Sequence, residues 1–191
     1  EFHELSISQD GLDSLSENLG YFPSIEKLSL NFSNQNFTDI SLFGSSLCNL
    51  FTLKSININF SWCNKLLNSG FTKGLFYLQN LERLTNIRLN FRGCFNIFSG
   101  FLVFARAITY LDRLEELSLI FDSCTGIEEE SAQVLFNSLS HLKKLRIIDI
   151  NFENCWKITS DLIKEYQTTL STKLNLLHLN ITHSDQFSLI K

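Results

Sequence analysis

An internal repeat constrains the fold of this chain more than any other feature of its sequence. Seven segments align: FHELSIS (2–8), IEKLSLNFSNQ (25–35), LKSININFSWC (53–63), LTNIRLNFRGC (84–94), LEELSLIFDSC (114–124), LRIIDINFENC (145–155) and LNLLHLNITHS (174–184). Their first residues lie 23, 28, 31, 30, 31 and 29 residues apart. Six of them follow L-x-x-L-x-L-x-F-x-x-C-x-x-I closely, with Ile, Leu and Phe exchanging. A period of this length indicates stacked units, each of which buries its apolar faces only against its neighbours.

Each repeat segment alternates apolar and polar residues, as a strand with one buried face does. In the fourth segment the apolar residues are Ile87, Leu89 and Phe91. The stretches between segments have helical periodicity, most clearly at 128–142 and 159–170. The sequence therefore predicts an α/β chain with a parallel sheet and helices on one side of it. The predicted strand segments lie near 2–8, 25–33, 53–61, 84–92, 114–122, 145–153 and 174–182.

The composition is that of a globular protein. Hydrophobic residues make up 44% of the chain and charged residues 19%, which is enough apolar material for a packed core. The net charge of −4 lacks the basic footprint of a nucleic-acid-binding protein. The most apolar window, 98–111, is interrupted by Ser99, Gly100 and Arg106 and is too short to cross a bilayer. We expect one domain over 1–191, with no nucleic-acid partner and no membrane insertion.

The two ends of the repeat array are incomplete. The first unit is short, and the last stops soon after its strand, in SDQFSLIK. Repeat arrays need polar capping units, so both ends are predicted to expose apolar surface. The chain begins with Glu and contains no Met. We therefore expect these 191 residues to be a piece of a longer protein, with ends covered by flanking residues or by neighbouring proteins.

The repeat pattern resembles that of leucine-rich repeat proteins of the ribonuclease-inhibitor-like class, and the resemblance covers nearly the whole chain. The C-x-x-I step is similar to the cysteine-containing repeats of many F-box proteins. The extra Phe before the turn is similar to repeat families of some unicellular eukaryotes. The resemblance implies a solenoid of about seven units of 28–31 residues, with a curved parallel sheet on the concave face and helices on the convex face. A fold of this kind says almost nothing about function.

Cysteines recur once per unit at a single position of the repeat. They are Cys63, Cys94, Cys124 and Cys155, and Gln35 and Ser184 take their place in the flanking units. In the family that the chain resembles, this side chain points inward and bonds backbone in the turn, so we interpret the cysteines as a structural ladder. Zinc needs a tetrahedron, whereas sulfurs on neighbouring strands lie in a line about 4.8 Å apart, and we expect no metal. A disulfide between neighbouring units is the alternative, but Cys48 makes the total odd, which favours a reducing compartment.

Residues that could support catalysis are few. His178 and His183 share the last unit with Asp185 and are the best candidates for a metal or catalytic pair, with a surface feature as the plainer interpretation. The run Glu128–Glu130 is interpreted as a helix N-terminus that complements the helix dipole rather than as an acidic binding patch. The sequence has no glycine-rich phosphate loop. We therefore predict no catalytic residue, no cofactor and no small-molecule substrate.

Side chains between the buried strand positions are predicted to point to the exposed, concave side of the sheet. One column of this face is rich in asparagine and includes Asn59, Asn90 and Asn151. Two interpretations are open. The aligned amides bond one another along the stack, or they form a polar surface for the backbone of a partner.

Charges on the same face are unevenly distributed. Arg88 and Arg92 form a basic spot, and Asp122, Asp149 and Glu153 follow on the next two units. Such a polarised surface orients a protein partner, or else its charges pair with one another across the units. The sequence leaves both alternatives open.

Aromatic residues beside the turns are the remaining candidates for partner binding. Trp62, Phe95 and Trp156 flank the ladder cysteines at positions that a core does not require. Tryptophan is enriched in interface hot spots, so these residues either anchor a partner or cover the edge of the sheet. The strand-end phenylalanines are predicted to be core: Phe32, Phe60, Phe91, Phe121 and Phe152.

These features together predict a non-catalytic scaffold or structural subunit of an intracellular, cytoplasmic assembly. Protein partners would bind through the concave face, the turn aromatics or the open ends, and a cytoskeletal or ciliary association is one hypothesis within this class. The alternative is a regulatory repeat module, either the substrate reader of a ubiquitin ligase or an activator of a small GTPase. The first version would be supported by an upstream F-box helix pair, and the second by stimulated GTP hydrolysis.

Overall fold

The computed structural model describes residues 7–97 and 99–184, where six α-helices alternate with six β-strands. The helices are α1 (Gln9–Leu19), α2 (Ser41–Leu47), α3 (Asn68–Phe76), α4 (Gly100–Ala107), α5 (Glu129–Leu139) and α6 (Ser160–Lys173). The strands are β1 (Lys27–Asn31), β2 (Ser55–Asn59), β3 (Asn86–Asn90), β4 (Glu116–Ile120), β5 (Ile147–Asn151) and β6 (His178–Thr182). Short 3₁₀ helices, Tyr77–Asn80 and Ile108–Tyr110, extend α3 and α4. The strand segment predicted at 2–8 lies, except for its last two residues, outside the described ranges.

The strands form a single sheet in which each strand pairs in parallel with the next strand along the chain. Corresponding residues of successive units stand opposite one another, so that Leu28 pairs with Ile56 and Ile56 with Ile87. Each of the six strands lies inside one repeat segment, from the second segment to the last. The predicted α/β architecture, with helices alternating with the strands of a parallel sheet, is confirmed.

One face of the sheet is covered by the helices, and the other is exposed. In β3, Ile87 and Leu89 are buried while Arg88 between them is exposed. On the buried side, Phe71 of α3 meets Phe91 edge-on with ring centroids 4.9 Å apart, and corresponding contacts join later helices to the sheet. The molecule is therefore a two-layer structure in which the alternation of each strand separates core from surface.

The strand-end phenylalanines form a continuous stack through the core. Each of the five is at most 2% exposed. From Phe32 to Phe152, the centroids of neighbouring rings are 5.4, 5.4, 5.9 and 6.0 Å apart, and the rings are close to parallel. Aromatic pairs of this kind stabilise a fold by about 0.5–1.5 kcal/mol beyond the burial of their area. The prediction that these residues form the core is confirmed.

The helix starts follow the local sequence. The hydroxyl of Ser8 accepts a hydrogen bond from the N–H of Gly11 at 3.1 Å and caps α1. Thr159, which precedes α6, accepts one from the N–H of Leu162 at 3.3 Å. Glu128 lies at the N-cap of α5, and Glu129 and Glu130 form its first turn, where carboxylates interact favourably with the helix dipole. The acidic run thus begins a helix, as predicted.

Helices α2 and α3 approach so closely that glycine is required at their contact. A Cβ on Gly44 would collide with the carbonyl oxygen of Gly74, and a Cβ on Gly74 would lie 2.8 Å from the carbonyl oxygen of Ile40. Because both carbonyl oxygens belong to the backbone, rotation of a side chain cannot relieve these two contacts, and a Cβ on Gly74 would also lie 2.5 Å from Cγ1 of Ile40. These glycines therefore set the spacing between the second and third helices.

The last strand is out of step with the sequence alignment by two residues. Asp149 pairs with Asn180 and not with His178, and Asn151 pairs with Thr182. Ser184, expected at the cysteine position, instead accepts a hydrogen bond from the N–H of Asn154. The segment Leu176–Leu177 admits two alternations, and α6 extends to Lys173, so the strand begins later and Leu177 stays exposed.

Candidate functional site

The ladder cysteines link successive turns by hydrogen bonds. Each thiol donates to the carbonyl oxygen of the strand-end Phe in the preceding unit. The pairs are Cys63 with Phe32, Cys94 with Phe60, Cys124 with Phe91 and Cys155 with Phe121, with Sγ···O distances of 3.1, 3.2, 3.0 and 3.0 Å. All five cysteines of the chain are free thiols. The ladder therefore satisfies backbone carbonyl groups at the carboxyl ends of the strands.

Burial makes these thiols poor nucleophiles. It raises the pKa of Cys63 to about 11 and the pKa of Cys94 and Cys155 to about 12. The pKa of Cys124 is also raised, mainly by burial and further by the neighbouring thiols of Cys155 and Cys94. The reactive species is the thiolate, and at neutral pH these groups stay protonated. Within 7–97 and 99–184, no group of three or more His, Cys, Asp or Glu side chains is arranged to hold a metal ion.

The asparagine column closes the strands and does not form an amide ladder. In each case the side-chain oxygen accepts the backbone N–H two residues further along, which is an Asx turn. The pairs are Asn31 with Ser33, Asn59 with Ser61, Asn90 with Arg92 and Asn151 with Glu153, at 3.1, 2.9, 2.9 and 2.8 Å. Among the described residues no hydrogen bond joins one of these amides to the next, so the interpretation that aligned amides bond one another is wrong. Ile120 interrupts the column in β4.

An open depression of about 510 Å³ lies on the exposed face over β1 to β4. Its polar lining comes from two columns of the sheet register: Ser29, Asn57, Arg88 and Ser118 in one, Asn31, Asn59 and Asn90 in the other. Arg88 is the charged residue of this lining. The register thus brings together side chains from four units that are about 30 residues apart in sequence.

Arg92 and Asp122 pair with each other across neighbouring units. Arg92 Nε lies 2.9 Å from Asp122 Oδ2, and the hydroxyl of Ser123 and the amide of Asn154 each donate to Asp122 Oδ1 at 2.8 Å. The Asp122 side chain is 6% exposed. For this pair the structure supports self-pairing, since every polar atom of the carboxylate is engaged within the chain.

The other candidate charges stay on the surface. Asp149 accepts a hydrogen bond from the amide of Asn180 at 2.8 Å, and Glu153 lies 3.4 Å from the amide of Asn151. Arg88 is exposed and forms no ion pair with any described residue. The basic spot expected from two arginines is therefore reduced to Arg88, and the acidic groups on β5 and its turn lie beyond it.

Two of the three turn aromatics lie together. The rings of Trp62 and Phe95 meet edge-on with centroids 6.4 Å apart, and the guanidinium of Arg92 lies 5.8 Å from the Trp62 ring centre. Trp62 also covers Gly93, where any side chain would collide with its ring. Trp62 and Phe95 are 39% and 40% exposed, whereas Trp156, on a later unit, is 59% exposed. The first two thus partly cover the edge of the sheet, and Trp156 projects furthest.

The residue before each ladder position has a left-handed backbone, which sequence reasoning missed. These residues are Asn34, Trp62, Gly93, Ser123 and Asn154, with φ of 60°, 62°, 71°, 63° and 59°. The recurrence of Asn and Gly at this position was the available signal, because these residues adopt the conformation most easily. Trp62 and Ser123 are the exceptions, each at a cost of about 1–2 kcal/mol. Trp62 also contacts Arg92 and Phe95.

The two histidines of the last unit do not form a site. His178 opens β6 on the exposed face, whereas Ser160 Oγ, at the start of α6, lies 3.4 Å from His183 Nδ1. An odd separation along an extended chain places the two side chains on opposite faces. This arrangement gives no support to a metal or catalytic pair of His178 and His183, and Asp185 lies outside the described residues.

Comparison with known proteins adds no assignment. No protein-family model matches the chain, and no curated protein matches its sequence. Among the described residues, no helix is both long and apolar enough to span a membrane. Function must therefore be inferred from the geometry of the sheet and its turns.

Proposed function

We propose that the chain is a leucine-rich repeat solenoid that acts as a non-catalytic protein-interaction scaffold, with the exposed face of its sheet as the binding surface. The observation that carries this proposal is the contrast between the two sheet faces. The buried face repeats the same Phe and Cys contacts in every unit from β2 to β5. On the exposed face, the column beside the asparagines changes in every unit, from Asn57 to Arg88, Ser118 and Asp149. A surface assembled in register from separate units is suited to an extended contact with another protein.

The exposed face is favoured over the turn aromatics as the main surface. Trp62 and Phe95 pack on each other and on Gly93, so part of their area serves the fold. The depression over β1 to β4, by contrast, is lined by side chains with donors that nothing else in the described chain engages, such as those of Arg88 and Asn57. Polar groups fixed by a rigid scaffold give specificity to an interface.

Site-specific photo-cross-linking tests the choice of surface. A photoreactive amino acid placed at Ser118 samples the sheet face, one at Trp156 samples the turn edge, and one at Lys164 samples the exposed side of α6. Each variant is irradiated in extract of the source cells, and the linked peptides are identified by mass spectrometry. We expect one defined protein at position 118 and none enriched at position 164.

The opposite pattern would reject the proposal. A partner that links only at position 156 would move the binding surface to the turn edge, and links only at 164 would move it to the helices. If the protein captured at position 118 is a small GTPase whose hydrolysis the purified chain accelerates, the regulatory alternative replaces the scaffold function. Links confined to flanking segments of the same polypeptide would make this sheet an internal packing surface.

A further inference from the structure

The Asx turns fix which way three amide groups on the sheet face point. In an asparagine amide only the oxygen can accept a hydrogen bond, so the side-chain oxygens of Asn31, Asn59 and Asn90 must face the N–H groups of their own turns. Their NH₂ groups therefore point away from the turns. Within the described residues, none of these three NH₂ groups donates a hydrogen bond to the protein. The sheet face thus carries three oriented donors with unused capacity.

These donors form a straight row. Asn31 pairs with Asn59 and Asn59 with Asn90 in the sheet register, so neighbouring groups are about 4.8 Å apart, the spacing of parallel strands. The parallel column on the same face adds Ser29, Asn57 and Arg88. We call the surface made by these six residues the donor groove; all of them line the 510 Å³ depression.

Charge distinguishes the donor groove from the rest of the sheet face. Arg88 brings a positive charge, and no Asp or Glu lines the depression. From β4 onward the face becomes acidic, with Glu116 at the start of β4, Asp149 on β5 and Glu153 in the following turn. Arg88 lies at the border, because it also lines a neighbouring depression with Glu116 and Asp149. There Asn151 makes the same Asx turn, but its NH₂ group lies 3.4 Å from Glu153. The donor-rich, cationic character is therefore confined to the first three strands.

We propose that the donor groove binds an extended peptide segment of the protein partner through its Asp or Glu carboxylates. This inference rests on the proposed scaffold function and specifies the chemistry of the partner. Carboxylates accept hydrogen bonds from amide and guanidinium donors and complement the charge of Arg88. The row of three amides spans about 10 Å, which is the length of about three extended residues. The acidic half beyond Ile120 repels the same segment and so fixes its position on the face.

The binding test uses three fluorescent peptides that differ only in charge. Each alternates serine with one residue, which is glutamate, glutamine or lysine, and fluorescence anisotropy is recorded at low salt, where exposed charges are least screened. We expect the glutamate peptide to bind at least about fivefold more tightly than the glutamine peptide, as one favourable charge contact near water predicts. The lysine peptide should not bind. Equal affinity for the glutamate and glutamine peptides would reject the role of the carboxylates.

A matched pair of variants locates the site. Asn59→Asp keeps the oxygen that accepts the Ser61 N–H and replaces the donor by a negative group, so the turn is preserved while the groove chemistry is inverted. Asn151→Asp makes the same change in the acidic half. We expect Asn59→Asp and Arg88→Gln each to weaken binding of the glutamate peptide about five- to tenfold, and Asn151→Asp to change it less than about twofold.

Several outcomes would overturn the proposal. They are no saturable binding of the glutamate peptide up to about 1 mM, equal loss in the variants at 59 and 151, and unchanged affinity in Arg88→Gln. A thermal melt of each variant checks that its fold is retained. Cross-linking at Ser118 separates this inference from the scaffold function. A partner captured there without an acidic segment opposite Arg88 leaves the scaffold and removes the proposed chemistry. Binding of the glutamate peptide without any partner captured at position 118 keeps the proposed chemistry and removes the scaffold function.

Discussion

On its helix-covered face the sheet repeats one set of contacts from unit to unit, and on its exposed face neighbouring units differ. Phe60, Phe91 and Phe121 stack in equivalent positions, and the cysteine after each of them donates to the preceding unit. Two residues before each of these phenylalanines, Ile58, Leu89 and Leu119 occupy equivalent buried positions. The residues that precede them face the exposed side, and these change from Asn57 to Arg88 to Ser118. Stacking of the units therefore constrains the buried layer, while the exposed layer is free to vary and to acquire specificity.

The largest expected effect comes from breaking the buried layer at its centre. Phe121→Ala removes a fully buried ring that stacks on two neighbours, and we expect a loss of about 3–5 kcal/mol in the free energy of unfolding. Urea unfolding followed by circular dichroism measures it. Phe51→Ala is the control, because Phe51 is 71% exposed, and its free energy of unfolding should stay close to that of the wild type. Similar losses in both variants would contradict the proposed layering.

A smaller loss of stability is expected at the turns after the strands, where Arg92 pairs with the buried carboxylate of Asp122. Arg92→Ala removes one of three donors to the buried carboxylate of Asp122, and we expect a loss of about 1–2 kcal/mol in the free energy of unfolding. Lys54→Ala, which breaks an ion pair whose two side chains are 49% and 55% exposed, should have no measurable effect. Equilibrium unfolding in urea compares the two. An equal loss of unfolding free energy in Lys54→Ala and Arg92→Ala would mean that burial does not make the Arg92–Asp122 pair more stabilising than an exposed ion pair.

The thiol ladder predicts a loss of stability at alkaline pH. The pKa of Cys94 is raised by burial to about 12, above its value in the unfolded chain. The contribution of this thiol to the free energy of unfolding is therefore complete below about pH 8.5, the pKa of a Cys in the unfolded chain. As the pH rises toward 12, that contribution is lost at up to about 1.4 kcal/mol per pH unit. Cys94→Ser keeps a hydrogen-bond donor that does not titrate there, so its stability should fall less steeply. Urea midpoints measured across this pH range for both proteins check the difference, and parallel curves would refute it.

The smallest effect is expected on the exposed layer. Asn59→Ala removes an Asx-turn hydrogen bond that is partly solvated, and we expect a loss of about 0.5–1 kcal/mol in the free energy of unfolding. Asn57→Ala, on the same strand and face, removes a side chain that makes no hydrogen bond within the described residues and should be neutral. Thermal unfolding monitored by circular dichroism resolves the two. A neutral Asn59→Ala would mean that the turn does not depend on the side chain.

Much of the fold could be predicted because its signals are local and recur. Alternation at Ile87 and Leu89 identified a strand, and the acidic run before α5 identified a helix start. The prediction failed in β6, where Leu176 and Leu177 allow two alternations and local sequence does not choose between them. The length of α6 and the pairing with β5 decide that register, and both depend on the folded neighbour.

The candidate surface was less predictable than the fold. The sequence placed Asn59 and Asn90 on the exposed face, but it could not tell that their oxygens are occupied by their own turns. Asp122 was predicted to be an exposed charge, and contacts with Arg92 and Asn154, each about 30 residues away, make it buried. Hydrogen bonds to residues so far away along the chain do not alter the local hydrophobic pattern, so the burial of Asp122 could not be predicted from it.

The alternation of strands and helices, the buried Phe and Cys positions and the parallel order of the units could be derived from the sequence alone, because each follows from a hydrophobic period repeated at near-constant spacing. The register of β6, the orientation of the asparagine amides and the pairing of Arg92 with Asp122 depend on tertiary contacts. The physical reason is that burial is set by the pattern within one unit. Whether a polar side chain of the exposed face is hydrogen-bonded within the chain or available to a partner depends, in contrast, on atoms of the turn and of the neighbouring unit.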